Sequence, residues 1–85
     1  MNMEEAINQA PSDVKQKEEY NTSCHINGMS YKLAELDKGL TPCLFVDYEI
    51  VSDEDEPCEF GMLWYKLDTE PSKEELKQYN VFYEE

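Results

Sequence analysis

Apolar and polar residues alternate from Tyr20 onward: Tyr20, Thr22, Cys24 and Ile26 fall between Asn21, Ser23, His25 and Asn27. Successive strand residues face opposite sides of a sheet, so this period of two predicts a half-buried strand. Asn27-Gly28 follows, a pair favoured in two-residue type I′ turns because both positions need φ > 0. Met29, Tyr31 and Leu33 then alternate with Ser30, Lys32 and Ala34. A turn at Asn27-Gly28 sets Ile26 opposite Met29, Cys24 opposite Tyr31 and Thr22 opposite Leu33, with nearly every apolar residue on one face. The expectation is a β-hairpin over residues 20–35.

Leu36 to Pro42 reads as a loop around Lys38-Gly39. Residues 43–51 predict a third strand, with Leu44, Val46, Tyr48 and Ile50 inward and Phe45, Asp47 and Glu49 outward. After an acidic loop, residues 58–67 predict a fourth strand that completes a second hairpin over 43–67. Both of its faces are apolar, Phe60, Met62 and Trp64 on one and Leu63, Tyr65 and Leu67 on the other, which predicts a central or doubly covered strand. Trp64, Tyr65, Tyr48 and Phe60 are accordingly expected in the core.

Two helical patterns flank these strands. Met3, Ala6, Ile7 and Ala10 have the spacing of one helical face, and Pro11 is expected to end or interrupt that helix. Ser72 and Glu75 form a capping-box pair after Pro71, and Leu76, Tyr79 and Tyr83 follow at i, i+3 and i+7. This predicts a C-terminal helix from about Ser72 to Tyr79 or beyond. The fold class expected is α+β: a four-stranded antiparallel sheet with a C-terminal helix and a short N-terminal helix. Residues 1–19 form a loosely attached amphipathic helix and polar connector, and residues 20–85 one compact domain.

Charge changes the picture more than length does. Twenty Asp and Glu face seven Lys, the chain has no Arg, and the net charge is −13. Direct binding to nucleic acid or to an anionic membrane needs cations that this chain lacks. Its field attracts basic surfaces instead. The surplus is local: residues 47–59 hold seven acids and no Lys. With three Cys, no CxxC pair and no apolar leader, the expectation is an intracellular, cytoplasmic protein with reduced thiols.

The acidic stretch supplies the candidate site: Asp47, Glu49, Asp53, Glu54, Asp55, Glu56 and Glu59, with Phe45 as an aromatic anchor. On a strand, Asp47 and Glu49 project to the same face about 6.5–7 Å apart. That roughly equals two phosphate steps of one DNA strand, at ~3.4 Å each. In size, acidity and lack of Arg the chain resembles small inhibitors made by phages and mobile elements: DNA-mimic anti-restriction proteins, uracil-DNA glycosylase inhibitors and anti-CRISPR proteins. The resemblance implies a viral, non-catalytic inhibitor that occupies the cationic groove of a nuclease-type target. It carries no residue roles with it.

Other chemistry fits less well. The acidic stretch lacks the spacing and the Gly of an EF-hand loop. Adjacent strand residues Cys24 and His25 point to opposite faces, and Cys43 with Cys58 across two strands supplies at most two of the four ligands structural zinc uses. The only His faces away from any Cys, and no phosphate-binding or dinucleotide motif is present, so neither an enzyme nor a cofactor is expected. The alternative is a small adaptor, docking through a sheet edge or the Met3–Ala10 segment on a protein unrelated to nucleic acid. A third role, metal or redox chemistry at the cysteines, is tested by replacing all three with Ser.

Overall fold

The alternation that begins at Thr22 runs straight through Asn27-Gly28. The computed structural model, which describes residues 1–36, 39–52 and 59–83, contains one strand over this whole stretch, β1 (Thr22–Leu36). It pairs antiparallel with β2 (Gly39–Ser52), from Thr22 opposite Ser52 to Leu36 opposite Gly39. The expected hairpin over 20–35 is therefore corrected: the chain reverses between Leu36 and Gly39. Asn27 is instead the extra residue of a β-bulge, where the register slips between Ile26 and Gly28. No glycine has a positive φ, and among the described residues the two non-glycines that do are Asn21 and Asn80. A type I′ turn needs φ > 0 at both central residues, so none forms here.

The bulge explains why the pattern was ambiguous. Cys24 and Ile26 are even-numbered and Met29 and Tyr31 odd-numbered, yet all four pack on the same side of the sheet. One inserted residue moves the apolar set from one parity to the other, as a two-residue turn also does. The long ladder with β2 wins because it satisfies the backbone of both strands along their full length.

β3 (Glu59–Lys66) adds to the other side of β2, pairing Phe45 with Trp64 and Asp47 with Met62. A short final strand, β4 (Phe82–Tyr83), lies parallel to β1 at Ser30 and Tyr31. The order is β3-β2-β1-β4, a mixed sheet rather than the antiparallel one expected. β3 is consequently an edge strand, not a central one.

α1 (Met3–Lys15) crosses one face of the sheet. Asn2 caps it: its side chain accepts from the Glu5 N–H at 2.8 Å, and Glu5 accepts from the Asn2 N–H at 3.2 Å. Pro11 does not end the helix. It lies on the exposed side, while Met3, Ala6, Ala10 and Val14 are buried against Tyr31, Leu44 and Val46. Burial of Val14 and a 2.6 Å hydrogen bond from the Tyr65 hydroxyl to the Asp13 carboxylate hold the turn beyond the proline. They offset the ~3 kcal/mol that an interior Pro costs.

The C-terminal helix expected from Ser72 reduces to one short segment, α2 (Lys73–Gln78). Half of the expected capping box forms: Ser72 Oγ accepts from the Glu75 N–H at 3.1 Å. Asn80, at φ 56°, then turns the chain outward from the helix. Val81 is buried, and Tyr83 stacks on Tyr31 with ring centroids 5.7 Å apart. The i+7 position of Tyr83 thus marks a strand contact with Tyr31 rather than a helical face.

Candidate functional site

With α1 covering one face, strand parity assigns the other to a different set of side chains. Taken row by row from β1 through β2 to β3, the outer face carries Lys32, Cys43 and Lys66; then Ser30, Phe45 and Trp64; then Gly28, Asp47 and Met62; then His25, Glu49 and Phe60. Phe82 of β4 extends the second row. Among the described residues no helix or strand packs over this face. Phe60 is 74% exposed, Phe82 65%, Met62 55% and Trp64 50%.

This corrects the expected core. Phe60 and Trp64 belong to the outer face, and only Tyr48 and Tyr65 pack on the helix side, both half-buried. Tyr48 lies across Gly61, where an added Cβ would collide with its ring. Tyr65 reaches α1 through Asp13, and burial followed by that hydrogen bond pushes its phenol well above its ordinary value. The doubly apolar pattern of β3 is real, but only one of its faces is covered.

The candidate residues divide among three places. Phe45, Asp47 and Glu49 share the outer face, Asp47 exposed and Phe45 and Glu49 half-buried. The Lys32 ammonium sits 5.4 Å from the centre of the Phe45 ring, a cation–π contact within the chain. Glu59 opens β3 opposite Ile50, so its register puts it on the helix side, away from Asp47 and Glu49. Asp53, Glu54, Asp55 and Glu56 lie outside the described residues. Missed by sequence reasoning were Phe60, Met62 and Trp64 as surface groups and Lys32 and Lys66 as their neighbours. The signal was the second apolar stripe of β3, which pointed equally to a core or to an open face.

Burial opposes ionisation at the two described thiols, Cys24 and Cys43. Cys43 is fully buried between Lys32 and Lys66 in the register. Burial raises its thiol above the ordinary value, against a smaller opposing pull from Lys66. Cys24 faces the helix side, and slight desolvation and the Glu18 carboxylate raise it too. Glu18 also accepts the Cys24 N–H at 3.2 Å, occupying a backbone donor on the free edge of β1. His25 points outward opposite Glu49 and lies 3.4 Å from Ser23 Oγ. Cys58 lies outside the described residues, and its neighbour Glu59 pairs with Ile50, far along β2 from Cys43. Among the described residues, no three His, Cys, Asp or Glu converge as metal ligands, and no helix is long and apolar enough to cross a membrane.

No family model matches the chain, and no curated protein or solved structure matches it.

Proposed function

We propose that this chain is a non-catalytic, acidic inhibitor that occupies the basic nucleic-acid-binding surface of a nuclease-type protein. The observation that carries this reading is the run of acids from Asp47 to Glu59, seven carboxylates with no lysine among them in a chain of net charge −13. Asp47 and Glu49 share one sheet face, and Asp47 and Glu59 are exposed. Neither the Asp47 nor the Glu49 side chain has a hydrogen bond or ion pair to another described residue. Carboxylates already in water and unpaired lose least when a cationic partner takes them. Phe45 and its exposed neighbours supply the apolar centre that a durable interface uses.

The test is affinity capture from the native cell extract, with the captured protein challenged by excess duplex DNA and by salt. Release of a nucleic-acid enzyme by DNA, with affinity falling steeply as salt rises, is the expected result. Neutralising Asp53, Glu54, Asp55 and Glu56 together is expected to remove most of the on-rate. Unchanged association kinetics would sink the reading.

A second reading, an adaptor docking on a protein unrelated to nucleic acid, draws on the open apolar face. It predicts retention at high salt and indifference to DNA. The Met3–Ala10 segment is not the docking element, since Met3, Ala6 and Ala10 are buried against the sheet.

A further inference from the structure

In a chain of net charge −13, the outer sheet face is neutral: its described residues include two cations, Lys32 and Lys66, and two anions, Asp47 and Glu49. The charges are also segregated. Both lysines flank Cys43 at one end, Glu49 lies six residues further along β2 beside Phe60, and the Phe45–Trp64 and Asp47–Met62 rows lie between. That separation is about 20 Å at ~3.4 Å per strand residue. The complement of such a face is another apolar face with the opposite order of charge along its strands. This face, turned end for end, has that order.

We propose that the outer face takes a second copy of this chain, face to face and with its strands antiparallel to the first. A two-fold axis across the strands at the level of Val46 sets the Lys32–Cys43–Lys66 row over the His25–Glu49–Phe60 row of the second copy. Trp64 then meets Met62 of that copy, a favourable sulfur–aromatic contact. Lys66 reaches Glu49 and the Phe60 ring, and Lys32, already over Phe45, meets Asp47. Every contact occurs twice, as an isologous interface requires. The axis along the strands is excluded because it stacks lysine on lysine and carboxylate on carboxylate.

Size places the pair among the smaller interfaces. Equal lengths of β2 and β1 run beside the eight residues of β3, and β4 adds only two residues. At ~3.4 Å per residue and ~4.8 Å per strand, the face covers roughly 420 Å² on each copy. The pair therefore buries about 850 Å² before side-chain relief is counted, the scale of a weak interface. Sheets packed this way lie about 10 Å apart, with the exposed Phe60, Trp64 and Phe82 rings filling the gap.

The dimer goes beyond the inhibitor reading and is measured without any partner. It gives Asp47 and Glu49 a second use, because a basic target and a second copy compete for them, while Glu59 stays outside. The experiment is sedimentation equilibrium of the purified chain at pH 7 and about 0.15 M salt. Mass rising with concentration toward twice that of the monomer is expected up to about 100 μM, since interfaces of this size are weak.

Two variants carry the geometry. Lys32→Glu with Lys66→Glu makes the face wholly acidic, and Asp47→Lys with Glu49→Lys makes it wholly basic. Each alone is expected to be monomeric, weakened at least ~100-fold by like charges. Their equimolar mixture is expected to recover the dimer mass. Far-UV circular dichroism checks the fold, and Met62→Glu, at a half-exposed position, is a second monomerising change should a charge variant unfold. A monomeric wild-type chain overturns the proposal. A dimer that survives both variants overturns it too, because another surface then holds the copies together. Folded, monomeric variants that fail to pair when mixed overturn the pairing of these charges across the interface.

Discussion

Leu44 and Phe60 are both large apolar strand residues, and the structure assigns them opposite energetic roles. Leu44 is fully buried, between Tyr31 on β1 and Tyr65 on β3 with α1 above. Truncating such a residue to Ala costs 2–5 kcal/mol by analogy with other cores, about 3 being a reasonable centre. The whole domain holds roughly 4–13 kcal/mol at typical values per residue. With a urea slope of about 1–1.5 kcal/mol/M for a chain this small, Leu44→Ala is expected to lower the midpoint by roughly 2–3 M.

Phe60 is 74% exposed, so about a quarter of its ring is covered. Full burial of Phe is worth about 1.5–3 kcal/mol, which makes the covered quarter worth at most ~0.8 kcal/mol. Phe60→Ala is therefore expected to shift the midpoint by no more than roughly 0.5–0.8 M. Trp64→Ala, half-exposed, falls between the two. The assay is urea unfolding followed by far-UV circular dichroism, at protein concentrations where the chain is monomeric. A Phe60→Ala loss equal to that of Leu44→Ala would refute the assignment, because the outer face would then be covered within the chain.

Other consequences follow from the helix side of the sheet. Gly61→Ala forces a methyl into the Tyr48 ring and is expected to cost about 1–3 kcal/mol, most of it recovered when Tyr48→Ala is added; urea midpoints of the two single and the double variant measure this coupling. Tyr65→Phe removes the hydrogen bond to Asp13 and is expected to cost about 1–2 kcal/mol at this half-exposed site, read from the same unfolding curves. Because folding raises the Tyr65 phenol above its ordinary 10.0, its stabilisation is complete below that pH and is lost as pH climbs through the higher folded value; the alkaline decline in stability should be shallower in Tyr65→Phe. Cys43, raised from 9.0 and buried, is expected to alkylate only on unfolding, whereas Cys24 labels in the native state; mass spectrometry after a short iodoacetamide pulse separates them.

What could be read from the sequence was the local chemistry, and what could not was the partner of each element. The Ser72 cap, the helix-forming stripe Met3-Ala6-Ala10 and the inward set Leu44, Val46 and Tyr48 all appear where expected. These signals are carried by a few neighbouring residues. Asn27-Gly28 failed because a parity shift in the apolar residues has two causes, a turn and a bulge, and only the distant strand β2 decides between them. Tyr83 failed for a similar reason: i+7 on a helix and alternation with Val81 on a strand give the same position, and Asn80 at positive φ selects the second. The acidic run remains legible as charge, but its geometry splits, since Glu59 faces away from Asp47 and Glu49.

A one-layer sheet with a single covering helix leaves an apolar face and two free edges, all of them hazards in solution. The acids are distributed accordingly. Glu18 occupies a backbone donor on the β1 edge, and Glu4, Glu5 and Glu19 lie exposed around α1, away from the neutral face. Strong like charge on the remaining surface keeps random encounters apart, while the outer face, neutral and polar only at its ends, is left available for a partner matched in register. The net charge therefore limits which encounters succeed, and the segregated rows of Lys32, Lys66, Asp47 and Glu49 determine how a successful one is oriented. An even scatter of the same four charges would give equal solubility but no preferred orientation. Lys66→Asp combined with Asp47→Lys leaves net charge unchanged but sets like charges against Glu49 and Lys32 of the second copy, and is expected to abolish the antiparallel pair without lowering solubility.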